Sequence, residues 1–335
     1  MVYSFALIRH ANIRYRDAFV RMSTYELISL LKAVEIEAVP EHEFIGGADF
    51  LTFECRPLSE SEISFIGRLS SGYIIAERQG NLLLPLDRSS EGYLPDDLPE
   101  VLKYKGKTSV PFTEMMMNMG LSVTPFALIR EPVTLLDPLC GKGTSCFCAA
   151  RRGWNAVGLD TDAKSVREAA DYFSRYLKFH HLKHVKQTRS ETVGRHSVPV
   201  TAFTYAACNE QYRQNDTRSL EFGCGDTAFV PALTRRRPAH LIVADLPYGV
   251  QHAPQFGEKP ETFQRLLARA LPEWRKALRP GGSLSLSFNT LTISRERVLS
   301  LVKDAGFALC EEECFSGLRH EVEQAVVRDV VYAVN

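Results

Sequence analysis

With 335 residues, 45% hydrophobic and 24% charged, the chain has the composition of an ordinary globular protein and room for two domains. Forty Lys/Arg balance forty Asp/Glu, which excludes a net charge that would by itself select a partner; residues 1–105 hold 11 Lys/Arg against 16 Asp/Glu and the remainder 29 against 24, so any basic face belongs to the C-terminal part. No stretch approaches the roughly 20 apolar residues of a membrane span. The N-terminal "MVYSFALIRHANIRYR" is not expected to be a signal peptide, and eight cysteines without a CxxC pair read as free thiols of a cytoplasmic protein.

In chain order, "YSFALIRH" is expected to be a strand and "STYELISLLKAV" (23–34) a helix capped by Ser23 or Thr24. "IEAVPEHEFI" and "ADFLTFECR" follow as strands around Gly46-Gly47. "SESEISFIGRLS" (59–70) opens with a capping box, Ser59 to Glu62, and "GYIIAERQGNLLLPL" reads as a hairpin around Gly80-Asn81. The resulting order β-α-β-β-α-β predicts a small α+β ferredoxin-like domain over residues 1–87. Residues 88–109, rich in Pro, Gly, Ser and Asp, read as a linker.

From residue 110 to 335 strand and helix alternate, which predicts a Rossmann-like, doubly wound and mostly parallel sheet. Its strands are expected at 133–137, 155–160, 239–245 and 282–289, with helices at 144–153, 162–179, 260–278 and 294–306. "FALCEEECF" and "AVVRDVVYAV" are expected to form a closing hairpin. "RYLKFHHLKHVKQTR" (175–189) is basic and aromatic, and fits either a nucleic-acid contact or a solvated helix end; the stretch from there to about 220 is poorly patterned. His180 and His184 have i,i+4 spacing, yet no Cys or Glu accompanies them as in a zinc motif, so no metal is expected. Met115 to Met117 read as core filler.

"LLDPLCGKGTSC" (135–146) sits where the first strand of this sheet turns into its helix, the place where open α/β sheets bind ligands. A phosphate-binding P-loop fails because position 136 is Leu, and a dinucleotide GxGxxG fails because position 146 is Cys. Asp137-x-x-x-Gly141-x-Gly143 instead has the pattern typical of S-adenosylmethionine sites, where two glycines let the backbone approach a ligand without a pyrophosphate; a purely structural tight turn is the alternative. Further on, "GLDTD" ends the second strand in Asp160, a carboxylate placed to accept both ribose hydroxyls, while Asp162 caps the next helix. "CGDTAF" could set Asp226 beside an adenine amino group.

"LIVADLPYGV" (241–250) drives a buried strand into Asp245-Leu246-Pro247-Tyr248. This resembles the (Asp/Asn)-Pro-Pro-(Tyr/Phe) signature of methyltransferases acting on exocyclic base amines. Such an amine is a poor nucleophile because its lone pair is delocalised into the ring. Two acceptors aimed at its hydrogens, the Asp245 carboxylate and the Leu246 carbonyl, would favour a pyramidal nitrogen facing the methyl donor. Pro247 would stiffen the turn, Tyr248 would offer a flat face to a flipped base, and Gly249 would permit the sharp exit. An ordinary strand-to-loop turn with a packed Tyr is the bland alternative.

Together "DPLCGKGT", "GLDTD", "ADLPYG" and "GKTSVPFTEMMMNMGL" (106–121) resemble the THUMP-associated tRNA guanosine-N2 methyltransferases, a group of class I methyltransferases, over most of residues 105–335. The resemblance implies S-adenosylmethionine as cofactor, with Phe112, Thr113, Asp137, Pro138, Cys140, Gly141, Gly143, Thr144, Asp160, Thr161, Asp226, Thr227 and Asp245 near it, and tRNA as the partner. It implies Asp245, Leu246, Pro247 and Tyr248 as the catalytic corner, working by direct attack without a covalent intermediate. Leu246 departs from the commoner Pro, and the region before 105 is too short for a ferredoxin-like module plus a complete THUMP domain. Adenine-N6 methylation of DNA or RNA, and a non-catalytic nucleic-acid-binding protein with the same fold, remain alternatives to the same motifs.

Overall fold

The structure is a computed structural model describing all residues except 10–12, 89–91, 105–106, 248–254, 257–258, 261 and 324–325. Tyr248 and Gly249 of the expected catalytic corner therefore lie outside the described residues.

The N-terminal unit runs β1 (Val2–Leu7), α1 (Ile13–Ala33), β2 (Glu41–Ile45), β3 (Ala48–Glu54), α2 (Glu60–Ile66), β4 (Gly72–Gln79) and β5 (Leu82–Pro85). Its antiparallel sheet has the order β2-β3-β1-β4-β5, a ferredoxin-like arrangement extended by β5 as an edge strand. Ser59 and Glu62 make the reciprocal capping box that starts α2. Helix α1 begins well before the expected cap. Ser23 and Thr24 lie inside it, and their hydroxyls donate back to the carbonyls of Phe19 and Val20, four residues earlier. Hydroxyl residues suit both roles, and residue type alone does not separate a cap from such a back-bond. Leu27, Leu30 and Leu31 of α1 pack with Phe5, Leu51 and Ile75 of the sheet.

The chain then forms α3 (Leu98–Val101), α4 (Val110–Ser122), β6 (Thr134–Asp137), α5 (Thr144–Arg151), β7 (Asn155–Asp160), α6 (Ala163–Phe179), β8 (His184–Val193), β9 (His196–Tyr205), α7 (Asn209–Arg213) and β10 (Arg218–Cys224). A 3-10 turn (Thr227–Phe229), α8 (Val230–Thr234), β11 (Ala239–Asp245), the two-residue strands β12 (Gln255–Phe256) and β13 (Lys259–Pro260), α9 (Phe263–Ala277) and β14 (Leu278–Asn289) follow. The chain closes with α10 (Arg295–Asp304), β15 (Ala308–Leu309), α11 (Glu313–Ser316), β16 (His320–Glu323) and β17 (Val326–Val334).

The large sheet has the order β15-β17-β14-β11-β6-β7-β10-β9-β8, with β16 also on β17. Strands β14, β11, β6, β7 and β10 are parallel, and β17, β9 and β8 turn antiparallel at the two margins. Both faces are covered, so the central strands are apolar on both sides. Leu135, Leu241 and Val243 join a core with Met116, Phe147, Phe173 and Phe222, while their neighbours Leu136, Ile242 and Ala244 join a second with Leu267, Trp274 and Val302. The expected closing hairpin differs in detail. Only Ala308–Leu309 pairs from the first segment, and β16 is the longer partner of β17.

The unpatterned stretch after residue 180 is in fact the hairpin β8–β9, turning at Gly194 with φ +58°. Strand β8 is the outer edge, and none of its residues is buried. Without an inner face it carries no apolar alternation to read. Its cations are paired: Lys186 lies 3.6 Å from Asp171, and Arg189 bonds Glu191 at 2.9 Å and Glu221 at 2.5 Å.

The connecting segment packs on the large unit, with Leu94 and Leu98 buried and Leu98 accepting a 2.6 Å hydrogen bond from the Tyr172 hydroxyl. Helix α1 lies against α4. Between them the fully buried Glu26 accepts from Ser70 N at 2.9 Å, Ser70 Oγ at 2.6 Å and Asn118 Nδ2 at 2.6 Å, while Arg152 donates to Asn118 Oδ1 at 2.7 Å. Burial pushes the Glu26 carboxyl up to about 7 against these hydrogen bonds.

Candidate active site

Strands β11, β6 and β7 are neighbours, and each ends in an aspartate: Asp245, Asp137 and Asp160. The chain leaves β6 toward β7 on one side and reaches β11 on the other, so these three carboxyl ends form the switch-point crevice of the sheet.

The turn after β6 is held from within. Asp137 accepts from Leu139 N at 3.0 Å and from the Ser145 hydroxyl, and is 6% exposed. Burial pushes its carboxyl up to about 7, with the Asp160 and Asp245 charges adding to the rise. Asp137 thus braces the loop rather than offering a free carboxylate to a ligand. Cys140 also points inward. Its N–H donates to Leu159 O at 3.0 Å and its side chain packs where Gly158 lacks one. Burial drives the Cys140 thiol well above its usual range, which removes it as a nucleophile.

The two glycines differ. Gly143 has φ +84°, and a Cβ there would meet the Phe222 ring at 2.9 Å. Gly141 has φ +49° and open space where a Cβ would stand, so it is the glycine whose backbone a ligand can approach. Its N–H donates to Asp160 Oδ2 at 2.8 Å, while Asp162 N donates to Oδ1 at 2.9 Å. A carboxylate has about four lone-pair directions, so Asp160 keeps acceptor capacity beyond these bonds. Burial raises the Asp160 carboxyl against the backbone N–H groups of Asp162, Gly141 and Thr161. Asp162 caps α6 as expected. Thr161 is exposed beside Asp160.

Other expected site residues also make contacts within the protein. Asp226 caps the 3-10 turn through Ala228 N at 2.9 Å and pairs with Arg269, both through the same carboxylate oxygen. Thr227 donates to the Pro138 carbonyl at 2.7 Å and receives Trp274 Nε1 at 3.0 Å, locking the strand-end loops together. Thr113 is buried in α4 and donates to Ser109 O at 3.1 Å. Thr144 shares a 2.9 Å hydrogen bond with the Tyr104 hydroxyl, and Lys142 sits 5.1 Å over the Tyr104 ring while pairing with Glu168 at 2.6 Å.

The acidic corner is more populated than the motif implies. Asp245 Oδ2 accepts from the Thr108 hydroxyl at 2.5 Å and lies 3.8 Å from Arg328 Nη2. The Arg328 guanidinium stacks 4.4 Å from the Phe112 ring centre, which places Phe112 at this corner, behind the arginine. Leu246 is 2% exposed, its N–H donates to Ser287 O at 2.9 Å, and Pro247 is half-buried. A cleft of about 240 Å³ opens beside Thr108, lined by Lys103, Tyr104, Lys107 and Ser109. Thr108, Tyr104 and Arg328 were not singled out by motif. The available signals were the "GKTS" run before Phe112 and a charged Arg-Asp pair inside the apolar run "AVVRDVVYAV".

No protein-family description and no curated protein matches this chain. Solved structures resemble it in fold: a TehB-like SAM-dependent methyltransferase from Corynebacterium glutamicum at 16% identity over 62% of this chain and 82% of that one, TM-score 0.35. TrmN from Thermus thermophilus aligns at 16% identity over 89% of this chain, TM-score 0.40, and the alignment spans 60% of the TrmN chain. The N-methyltransferase NodS from Bradyrhizobium japonicum aligns at 10% identity over 67% of this chain and 94% of that one, TM-score 0.38. The strand order and directions are those of an open, doubly wound α/β sheet with antiparallel margins. Among the described residues no helix is long and apolar enough to cross a membrane, and no cluster of three His, Cys, Asp or Glu is placed to hold a metal.

Proposed function

We propose that the chain is an S-adenosylmethionine-dependent methyltransferase acting on an exocyclic base amine of RNA, with guanine N2 in tRNA as the target its motifs favour. The observation that carries this reading is the placement of the Asp245 carboxylate at the switch point, one strand from the open glycine Gly141 and two from Asp160.

Gly141 and Asp160 would hold the cofactor, the first by letting its backbone approach and the second by accepting ribose hydroxyls. When bound, the cofactor supplies an electrophilic methyl group on a sulfonium. Asp245 and the Leu246 carbonyl act on the other partner, drawing the hydrogens of a planar amine so that its lone pair turns toward the carbon to be transferred. Asp137 shapes the loop, and Pro247 limits the freedom of the corner. The buried cysteines form no covalent intermediate in this scheme.

The test is calorimetry with S-adenosylmethionine followed by transfer of labelled methyl to bulk tRNA and to DNA. Label in tRNA, recovered after digestion as N2-methylguanosine, supports the reading. Label in DNA alone removes the tRNA assignment, label on adenine N6 moves the target, and cofactor binding without transfer to any nucleic acid leaves a binding protein with this fold.

A further inference from the structure

We infer that Arg328 and Thr108 are positioning residues that together set the orientation of the Asp245 carboxylate toward the amine; this rests on the base-amine reading above. Both groups engage the same oxygen. Thr108 Oγ1 donates to Oδ2 at 2.5 Å and Arg328 Nη2 stands 3.8 Å from that atom. A carboxylate on a strand end still rotates about its last bond, and one hydroxyl donor together with a buried cation beside the same oxygen biases that rotation.

The clamp is built from elements distant in sequence. Thr108 precedes α4, Arg328 lies on β17, and Asp245 ends β11. On the sheet, Arg328 pairs with Asn289 at the end of β14, the strand between β17 and β11, so its side chain reaches across that end to the acidic corner. Its other flank faces His320, its cross-strand partner on β16. The His320 ring lies 5.5 Å from Phe112, and burial with the Arg328 charge holds it at about 4, so at neutral pH it is uncharged and does not compete for Asp245.

Placement of the cation is the informative part. Only 8% of the Arg328 side chain is exposed. Burying a guanidinium is costly unless a counter-charge and a favourable face receive it. Here the Phe112 ring and Asp245 do so, whereas the next residue, Asp329, faces Arg295 at 2.9 Å. Arg328 therefore serves the strand end that the proposed chemistry uses, and the Arg295–Asp329 pair is separate from it.

The experiment measures kcat and KM for methyl transfer to tRNA, with S-adenosylmethionine affinity by calorimetry, in Arg328→Ala, Arg328→Lys, Thr108→Val and Thr108→Ser. Misorienting one reacting group costs up to about 100-fold, so R328A and T108V should lower kcat by about 10- to 100-fold with cofactor affinity unchanged within about threefold. T108S should retain activity within about threefold of the wild type because it keeps the donor, and millimolar guanidinium should restore part of kcat in R328A but none in Asp245→Ala. If R328A does not fold, the two Thr108 variants decide alone. Wild-type kcat in T108V, or losses in R328A that track cofactor affinity and resist guanidinium, would overturn the inference while leaving the base-amine reading in place. A wild-type protein that binds the cofactor yet methylates no nucleic acid would remove both.

Discussion

Replacing each glycine of the β6 turn by alanine separates fold from ligand binding. At Gly143 the new methyl group would stand 2.9 and 3.0 Å from two atoms of the Phe222 ring and 3.4 Å from Phe147. Phe222 is itself fully buried, with its ring 5.9 Å from that of Phe147, so it has little room to withdraw. Holding an L-residue at φ +84° costs about 1–2 kcal/mol and overpacking a dense core about 1–3 kcal/mol, giving a loss of about 2–5 kcal/mol for Gly143→Ala. Gly141→Ala meets no atom within 4 Å and carries only the backbone cost, about 1–2 kcal/mol. Urea unfolding read by fluorescence measures both losses, and calorimetry with S-adenosylmethionine measures binding. The expected result is a strongly destabilised G143A, and a G141A that stays folded but binds the cofactor at least tenfold more weakly. A G143A within 0.5 kcal/mol of the wild type, or a G141A with unchanged affinity, would refute the assignment of one glycine to packing and the other to the ligand, on a scale where roughly 1.4 kcal/mol is a factor of ten.

Asp245→Ala should lower methyl transfer by about 100-fold or more, the scale for a preorganised group aimed at the reacting centre, while cofactor affinity measured by calorimetry falls less than about fivefold. The same change strips a counter-charge from Arg328, and a loss of about 1–3 kcal/mol in urea unfolding should accompany it. Glu26→Gln should alter the pH dependence of stability. A carboxyl raised from 4.5 to about 7 on folding gives its full stabilisation below about 4.5 and loses it as pH rises through 7, so the variant should flatten that fall and gain up to about 3 kcal/mol at pH 8, read from urea midpoints between pH 4.5 and 8. Thr227→Val removes the donor to the Pro138 carbonyl and one acceptor of Trp274 Nε1; a loss of about 1–3 kcal/mol in unfolding free energy and severalfold weaker cofactor binding are expected.

The central strands were legible because a parallel sheet covered on both faces writes itself as short apolar runs, and here three of those runs stop at an acid. "TLLD", "NAVGLD" and "AHLIVAD" carry the central strands and the three acids of the candidate site. What a motif does not specify is which side of the turn each atom faces. Cys140 and Thr227 sit inside the expected stretches yet look into the protein, because a tight loop needs its own braces as well as a surface for a ligand. Asp226 shows the same ambiguity, since an acid after a glycine caps a turn as readily as it receives an amine. The hairpin of β8 and β9 was illegible for the opposite reason: an edge strand with no buried residue leaves no periodic trace. Arg328 and Thr108 escaped because their partner is 83 and 137 positions away, a proximity that sheet order creates and local patterning does not encode.

Glu26 and its partners have a mechanical consequence. To swing the smaller sheet against the larger one, Asn118 would have to abandon its hydrogen bonds to Glu26 and to the Arg68 carbonyl, and Arg21 would have to leave the carbonyls of Gly317 and Arg319. The N-terminal unit is thus tied to the larger one by hydrogen bonds as well as by the packing of α1 on α4.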